Sequence, residues 1–257
     1  MIQLPSEPKI ISQEDNKATF EIGPLYPGYG ATIGNSLRRV LLSSLEGAAI
    51  TSVKITGVPH EFTTIPNVLE DVINIIINLK LIRFKFYGTE PVTLTLEAKG
   101  EKQVKAGDIK TNSDVEIINK DQHIATLTDK KAELIMELQV ERGLGYLSVE
   151  QRQKEKLPIG VIAVDAIFGP IKHANFKIEN MRVGQRTDYN KVVLEIETDG
   201  SISPQEALNK SAEILTNHFD TIKVEVEKEK EKELKADKEE KETKEEKKEK
   251  KKKVSKK

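Results

Sequence analysis

The stretch Gly28–Gly47, GYGATIGNSLRRVLLSSLEG, constrains the fold most, because it asks for a helix too apolar to stand alone in water. Ile33, Leu37, Val40, Leu41 and Leu45 recur at helical spacing, and Leu42 widens the stripe until only Arg38, Arg39, Ser43 and Glu46 keep a narrow polar arc. Such a helix needs cover on more than one side. Thr32 is its expected cap and Gly47 its expected left-handed stop, which gives about three and a half turns. One side is expected to cover a sheet of its own domain. The rest calls for a partner helix, and a second copy across a two-fold axis is the simplest source of one.

Upstream of this helix, Ile10-Ile11 and Thr19-Phe20-Glu21-Ile22 read as two strands, and Gly23 to Gly30 as a Gly/Pro/Tyr loop. Downstream, Ala49 to Ile55 reads as a strand and Gly57 to Phe62 as a turn with a short strand. Val68 to Leu79 predicts a second helix opened by Pro66, since Val68/Val72/Ile76 and Leu69/Ile73/Ile77 both fall at helical spacing. From Ile82 the pattern is all β, through Arg83–Phe86, Val92–Leu96, Val115–Ile118, Ile124–Leu127 and Ala132–Val140, broken at short intervals by Gly88, Gly100, Gly107 and Asn112. This suits a compact antiparallel module inserted into the chain. Arg142 to Leu147 reads as a glycine-spaced loop, and strands around Ala174–Ile178 and Val192–Glu197 enclose the polar run Arg182–Tyr189.

Ser203-Pro204-Gln205-Glu206 is the sharpest local signal: a capping serine, a proline at the first helical position, and a glutamate placed to reach back to the cap. The helix it opens carries Ala207, Leu208, Ile214, Leu215, Phe219 and Ile222 on one broad face. Two apolar helices therefore flank a β-rich middle. Beyond them the composition changes: residues 227–257 hold fifteen lysines and eleven acidic residues, leaving 26 basic and 31 acidic residues before them. That tail has no apolar periodicity and is expected to be disordered.

Five segments in order carry a family resemblance: Gly34–Ser44 (GNSLRRVLLSS), Gly57–Phe62 (GVPHEF), Leu127-Thr128-Asp129, Arg142–Tyr146 (RGLGY) and Val183–Tyr189 (VGQRTDY). Over roughly residues 5 to 226 the chain resembles the amino-terminal domain of the alpha subunits of bacterial RNA polymerase. The resemblance implies an α+β fold in which two apolar helices pack on antiparallel sheet and an inserted β-rich domain interrupts a two-part dimerisation domain. It divides the chain into 1–46 and 171–226 for dimerisation, 47–170 for the insert, and 227–257 for the tail. It further implies a homodimer joined through Leu37, Leu41, Leu45, Leu208, Leu215 and Phe219, acting as a platform for the beta and beta-prime subunits, with omega and sigma in the larger complex. Arg39, Leu42 and His60 become the expected large-subunit contacts, in the cytoplasm beside the nucleoid. In the family's usual plan a linker then leads to a folded DNA-binding domain, whereas here alternating Lys228–Glu233 leads to a run in which residues 247–257 hold eight lysines against Glu249 alone. That end is expected to touch DNA phosphate, if anything, without reading sequence.

Other classes fail on their own residues. The glycines of Gly28–Gly34 miss dinucleotide-loop spacing by one, and Pro24 and Pro27 interrupt the approach. The sequence has no cysteine, and His60, His123, His173 and His218 stand far apart, so no metal or other cofactor is expected. No carboxylate pair is marked for acid–base chemistry, and Asp165 is read as the most buried acid, in a structural role. No signal peptide or membrane span is expected either. The competing reading is an independent homodimeric nucleic-acid-binding protein whose basic tail supplies non-specific affinity. Arg38 and Arg39 also admit a plain alternative, the solvated edge of a core helix.

Overall fold

The computed structural model describes residues 4–152, 158 and 160–223. β1 (Lys9–Glu14) and β2 (Lys17–Leu25) form a hairpin that leads into α1 (Tyr29–Ser43). β3 (Glu46–Ile55) and α2 (Val72–Lys80) follow, then β4 (Phe84–Phe86), β5 (Val92–Lys99), β6 (Lys102–Lys105), β7 (Ile109–Lys110), β8 (Val115–Ile117), β9 (His123–Leu127) and β10 (Glu133–Leu144). After them come β11 (Tyr146–Leu147), the single turn α3 (Val149–Arg152), β12 (Val161–Ala163) and β13 (Ala166–Ile167). A long hairpin, β14 (Ile171–Val183) and β15 (Arg186–Thr198), precedes α4 (Pro204–Ile222). The chain divides into two compact units, one ending at Leu215 and the next beginning at Thr216 inside α4.

The first unit has two hydrophobic cores, each built on its own antiparallel sheet. The four-stranded sheet β1-β2-β15-β14 joins the start of the chain to its later part. Its inward residues Ala18, Phe20, Ile22, Val192, Leu194 and Ile196 pack with Leu37, Leu41 and Leu45 and with Ala207 and Leu208 of α4. The larger sheet, ordered β7-β5-β10-β3-β4-β8 with β12 also on β3, is covered by α2 through Val72, Ile75 and Leu79, each 0% exposed. Alternation writes this directly: in β10 the residues Leu134, Met136, Leu138 and Val140 are buried, and Glu133 and Glu137 on the opposite face are exposed. The fold is α+β, as the family resemblance implies.

Several local expectations are corrected. Thr32 lies inside α1, whose first residue is Tyr29; the helix opens from Gly28 in the left-handed region (φ 88°) with no side-chain cap from its own segment. Gly47 is not a helix stop but an extended residue of β3, where a Cβ would lie 1.8 Å from the Phe168 carbonyl oxygen. α2 opens at Asp71, whose carboxylate accepts the Asn74 N–H at 2.7 Å, and not at Pro66. The residues before it stay extended because Val68 bridges Leu127 and the Leu69 N–H donates to the Thr126 carbonyl at 3.0 Å. Gly57–Phe62 forms its turn but not the expected strand. Arg142–Leu147 is no loop: β10 continues to Leu144 opposite Glu46, and β11 pairs with β13. Gly143 leaves room for the Phe168 ring, which a Cβ would approach to 2.6 Å, and Gly145 (φ 61°) makes the bend.

The box at Ser203 forms as read. The Glu206 N–H donates to Ser203 Oγ at 3.3 Å, and the Ser203 N–H donates to Glu206 Oε2 at 3.2 Å. Hydrogen bonds to the Glu206 carboxyl from the Ser203 N–H and the Ser203 side chain hold it below its usual range. The Lys/Glu tail, residues 227–257, lies outside the described residues.

Candidate functional site

α1 can lie with its backbone close to β14 and β15 because two of its residues lack a side chain. A Cβ on Gly34 would come within 2.6 Å of the Phe176 ring, and one on Gly30 within 3.0 Å of Asn190 Cβ. Close approach sends Leu37, Leu41 and Leu45 into the subunit's own core, at 6%, 1% and 2% exposure, and Leu208 of α4 joins them at 7%. These four leucines therefore present almost no surface to a second copy. Leu215 is half-buried against the same core, and Phe219, later in α4, is 58% exposed.

The outer side of α1 separates its two arginines. Arg38 Nε donates to the Ala174 carbonyl at 3.2 Å and so occupies a backbone acceptor of the edge strand β14. Arg39 is exposed, and among the described residues no carboxylate pairs with it. Leu42, three residues on, is 43% exposed beside it on the helix surface. His60 is also exposed, its ring tilted against Phe62 at 6.4 Å, with Phe62 itself 76% exposed. Arg39, Leu42 and His60 thus all reach the surface.

A further exposed group escaped the sequence reading. Leu69, Ile73, Ile77 and Leu81, four residues apart along α2 and its flanks, are 72%, 38%, 52% and 47% exposed. The signal was present, since Val68 to Leu79 carries two apolar stripes where burial against one sheet needs one. α2 is held firmly beneath them: Asn78 Nδ2 donates to the Ile124 carbonyl at 3.0 Å, and Asn119 Nδ2 donates to the Leu81 carbonyl at 2.9 Å. The chain before α2 is pinned by Glu70. Its Oε2 accepts the Thr126 N–H at 2.6 Å, while Oε1 accepts the Thr126 hydroxyl at 3.0 Å and lies 2.8 Å from His123 Nε2. Burial of the Glu70 carboxyl opposes its ionisation, yet these hydrogen bonds prevail and hold its pKa below the ordinary value.

The polar run Arg182–Tyr189 closes the β14–β15 hairpin and carries a compact aromatic and charged cluster. Arg186 grips Asp188 with two hydrogen bonds, Nε to Oδ1 at 3.0 Å and Nη2 to Oδ2 at 2.7 Å. Its guanidinium also lies over the Tyr26 and Tyr189 rings, 5.7 and 5.4 Å from their centroids. The pairing holds the Asp188 carboxyl below its usual range. Tyr26 stacks edge-on against both Tyr29 and Tyr189, so hairpin and helix start share one aromatic cluster.

Asp165 is corrected as the most buried acid. Its side chain is 35% exposed against 15% for Glu70 and 8% for Asp199. It accepts the Val149 N–H at 3.0 Å and Lys80 Nζ at 3.3 Å, which hold its carboxyl below the usual range despite its partial burial. Among the described residues no three His, Cys, Asp or Glu side chains are grouped to hold a metal ion, and no helix is long and apolar enough to cross a membrane. A cleft of about 430 Å³ has Phe84, Phe86 and Ile202 on its walls and charges of both signs around it, including Lys85, Arg142, Lys210, Glu46 and Glu213.

Residues 53–169 match the family described as the RNA polymerase Rpb3/RpoA insert domain. Among curated proteins, the chain is 51% identical over 214 residues to the DNA-directed RNA polymerase subunit alpha of Symbiobacterium thermophilum, covering 83% of this chain and 68% of that one. It is 53% identical over 215 residues to the subunit of the same name from Moorella thermoacetica, with the same coverages. With the subunit from Alkaliphilus oremlandii the identity is 49% over 244 residues, 89% of this chain and 77% of the other.

Proposed function

From the premise that this chain belongs to the alpha-subunit family of DNA-directed RNA polymerase, we propose a division of labour among its surfaces. The subunit acts as a dimerising, non-catalytic platform for assembly of the enzyme. Residues 1–46 and 171–226 form the dimerising part, with Leu215 and Phe219 at the contact and Leu37, Leu41, Leu45 and Leu208 supporting it from within. Residues 47–170 form the insert. The outer side of α1, with Arg39 and Leu42, receives the beta subunit, and His60 with Phe62 extends that contact. The ridge Leu69, Ile73, Ile77 and Leu81 offers a second apolar surface to the large subunits, beta or beta-prime. Omega and sigma join the larger complex, which works in the cytoplasm beside the nucleoid.

One observation carries the docking reading: α1 is locked on its inner side yet keeps an exposed guanidinium, paired with no carboxylate among the described residues, next to a 43% exposed leucine. An arginine with an apolar neighbour suits a protein contact, since its stem covers apolar area while its fork pairs a partner carboxylate. Reconstitution of the full chain with the beta subunit tests it. Arg39→Ala is expected to leave the dimer and its melting intact and to weaken beta capture roughly tenfold, the size of a hot-spot contact. Unchanged capture would return Arg39 to the solvated edge of a core helix. Capture that persists after nuclease treatment separates a platform from an independent nucleic-acid binder.

A further inference from the structure

The start of α1 has an unusual source of acceptors. The first N–H groups of a helix have no partner within it, and a serine, threonine, aspartate or asparagine just before the helix commonly supplies one. Here the residue in that place is Gly28, and the first turn contains no acidic side chain. The acceptor comes from Asn190 on β15. Its Oδ1 accepts the Gly28 N–H at 2.8 Å and the Gly30 N–H at 3.4 Å.

The surroundings fix Asn190 in that role. Pairing of β15 with β2 slips by one residue between Asn190 and Val192, and β14 faces Asn190 with Asn180. A Cβ on Gly30 would meet Asn190 Cβ at 3.0 Å and Ile178 Cγ2 at 3.1 Å, so the glycine lets the helix backbone come down onto the carboxamide. Its neighbour Tyr189 belongs to the Arg186–Tyr26 cluster, which ties the hairpin to the same helix start.

We infer that Asn190 is a positioning residue for assembly: its side-chain oxygen caps α1 from across the sheet and thereby sets where Arg39 and Leu42 are presented to the large subunit. This rests on the docking reading above. The consequence is that residues on the β14–β15 hairpin control a contact they do not touch. Asp is the conservative replacement, because it keeps an oxygen in place and its charge suits a helix N-terminus.

The test uses the dimer of the full chain in four variants, Asn190→Ala, Asn190→Asp, Arg39→Ala and the Asn190→Ala/Arg39→Ala double variant, with two readouts. Amide hydrogen exchange at Gly28 and Gly30 reports the cap, and capture of the beta subunit reports presentation. Asn190→Ala is expected to speed exchange at both glycines about fivefold or more, as for a lost cap, and to weaken capture several-fold. Asn190→Asp is expected to restore both, and Asn190→Ala added to Arg39→Ala is expected to cost less capture than Asn190→Ala alone, because only the presentation of Leu42 is then left to lose. Unchanged exchange in Asn190→Ala would overturn the cap. Faster exchange with unchanged capture would overturn the positioning role while leaving the docking reading intact, provided that Arg39→Ala still weakens capture. If Arg39→Ala also leaves capture unchanged, the docking reading falls and this inference with it.

Discussion

α1 and α2 are both too apolar for an isolated surface helix, and they resolve the excess in opposite ways. α1 turns its leucines into the subunit core, takes its N-terminal acceptor from a strand about 160 residues away in sequence, and leaves Arg39 and Leu42 outside. α2 caps itself with Asp71, buries Val72, Ile75 and Leu79, and leaves Ile73 and Ile77 in water. The difference lies in how each helix is started: the first N–H groups of α1 are satisfied from a distant strand, those of α2 by Asp71 of its own segment, while Glu70, Asn78 and Asn119 tie α2 down to the chain around residues 119–126. An error in the hairpin therefore reaches α1, while α2 fails through its own packing.

The largest expected effect breaks α2 from within. Ile75→Ala removes a side chain at 0% exposure and should lower stability by about 2–5 kcal/mol, because the tight surroundings refill the cavity only in part. Ile77→Ala, two residues away at 52% exposure, should change stability by less than about 0.5 kcal/mol and weaken large-subunit capture instead. Denaturant unfolding of each variant beside a capture assay checks the pair. Equal stability losses would mean that the outer ridge belongs to the subunit core; equal capture with Ile77→Ala would remove the ridge from the docking surface.

These two helices also mark where the sequence could be read and where it could not. Ser203 and Glu206 announce their box because both partners lie within one turn, and the alternations of β5 and β10 are legible because each is written in consecutive residues of one strand. Thr32 and Gly47 misled for the converse reason: the helix start is satisfied by Asn190, and Gly47 answers to Phe168, and neither partner is near in the chain. Arg142–Leu147 looked like a loop since glycine spacing is the same whether it frees a turn or clears an aromatic ring. Of the candidate contacts, Arg39, Leu42 and His60 reach the surface, and the family resemblance, not periodicity, singled them out. Periodicity marked Leu37, Leu41 and Leu45 as apolar but could not say whether a sheet or a second copy covers them.

A smaller effect sharpens the account of α2. The Glu70 carboxyl is 15% exposed and its pKa is depressed in the fold, so its ionised form stabilises the native state. That contribution is fully present above the unfolded-state pKa, near the ordinary glutamate value, and is lost as pH falls through the lower folded value. Glu70→Gln keeps the shape but not the charge. It should cost about 1–2 kcal/mol at neutral pH and flatten the fall in stability below about pH 5. Chemical denaturation from pH 3 to pH 7 checks this, and an unaltered acid limb would mean that other carboxylates govern it.

The smallest effect concerns residues 227–257, where only the charge can be used. Lys247–Lys257 carries eight lysines and one glutamate on a body of net negative charge. A one-signed run attracts phosphate by releasing counterions, without touching base edges. Removing residues 247–257 should lower the affinity of the assembled enzyme for duplex DNA by less than about tenfold and by the same factor on unrelated sequences, with a shallower salt slope. Dimerisation and large-subunit capture should not change, because neither α1 nor α2 is involved. Competition binding at two salt concentrations, with A·T-rich and scrambled duplexes of one length, distinguishes the outcomes. A loss confined to one duplex would assign base reading to the run, and equal affinity with and without it at low salt would remove DNA from its partners.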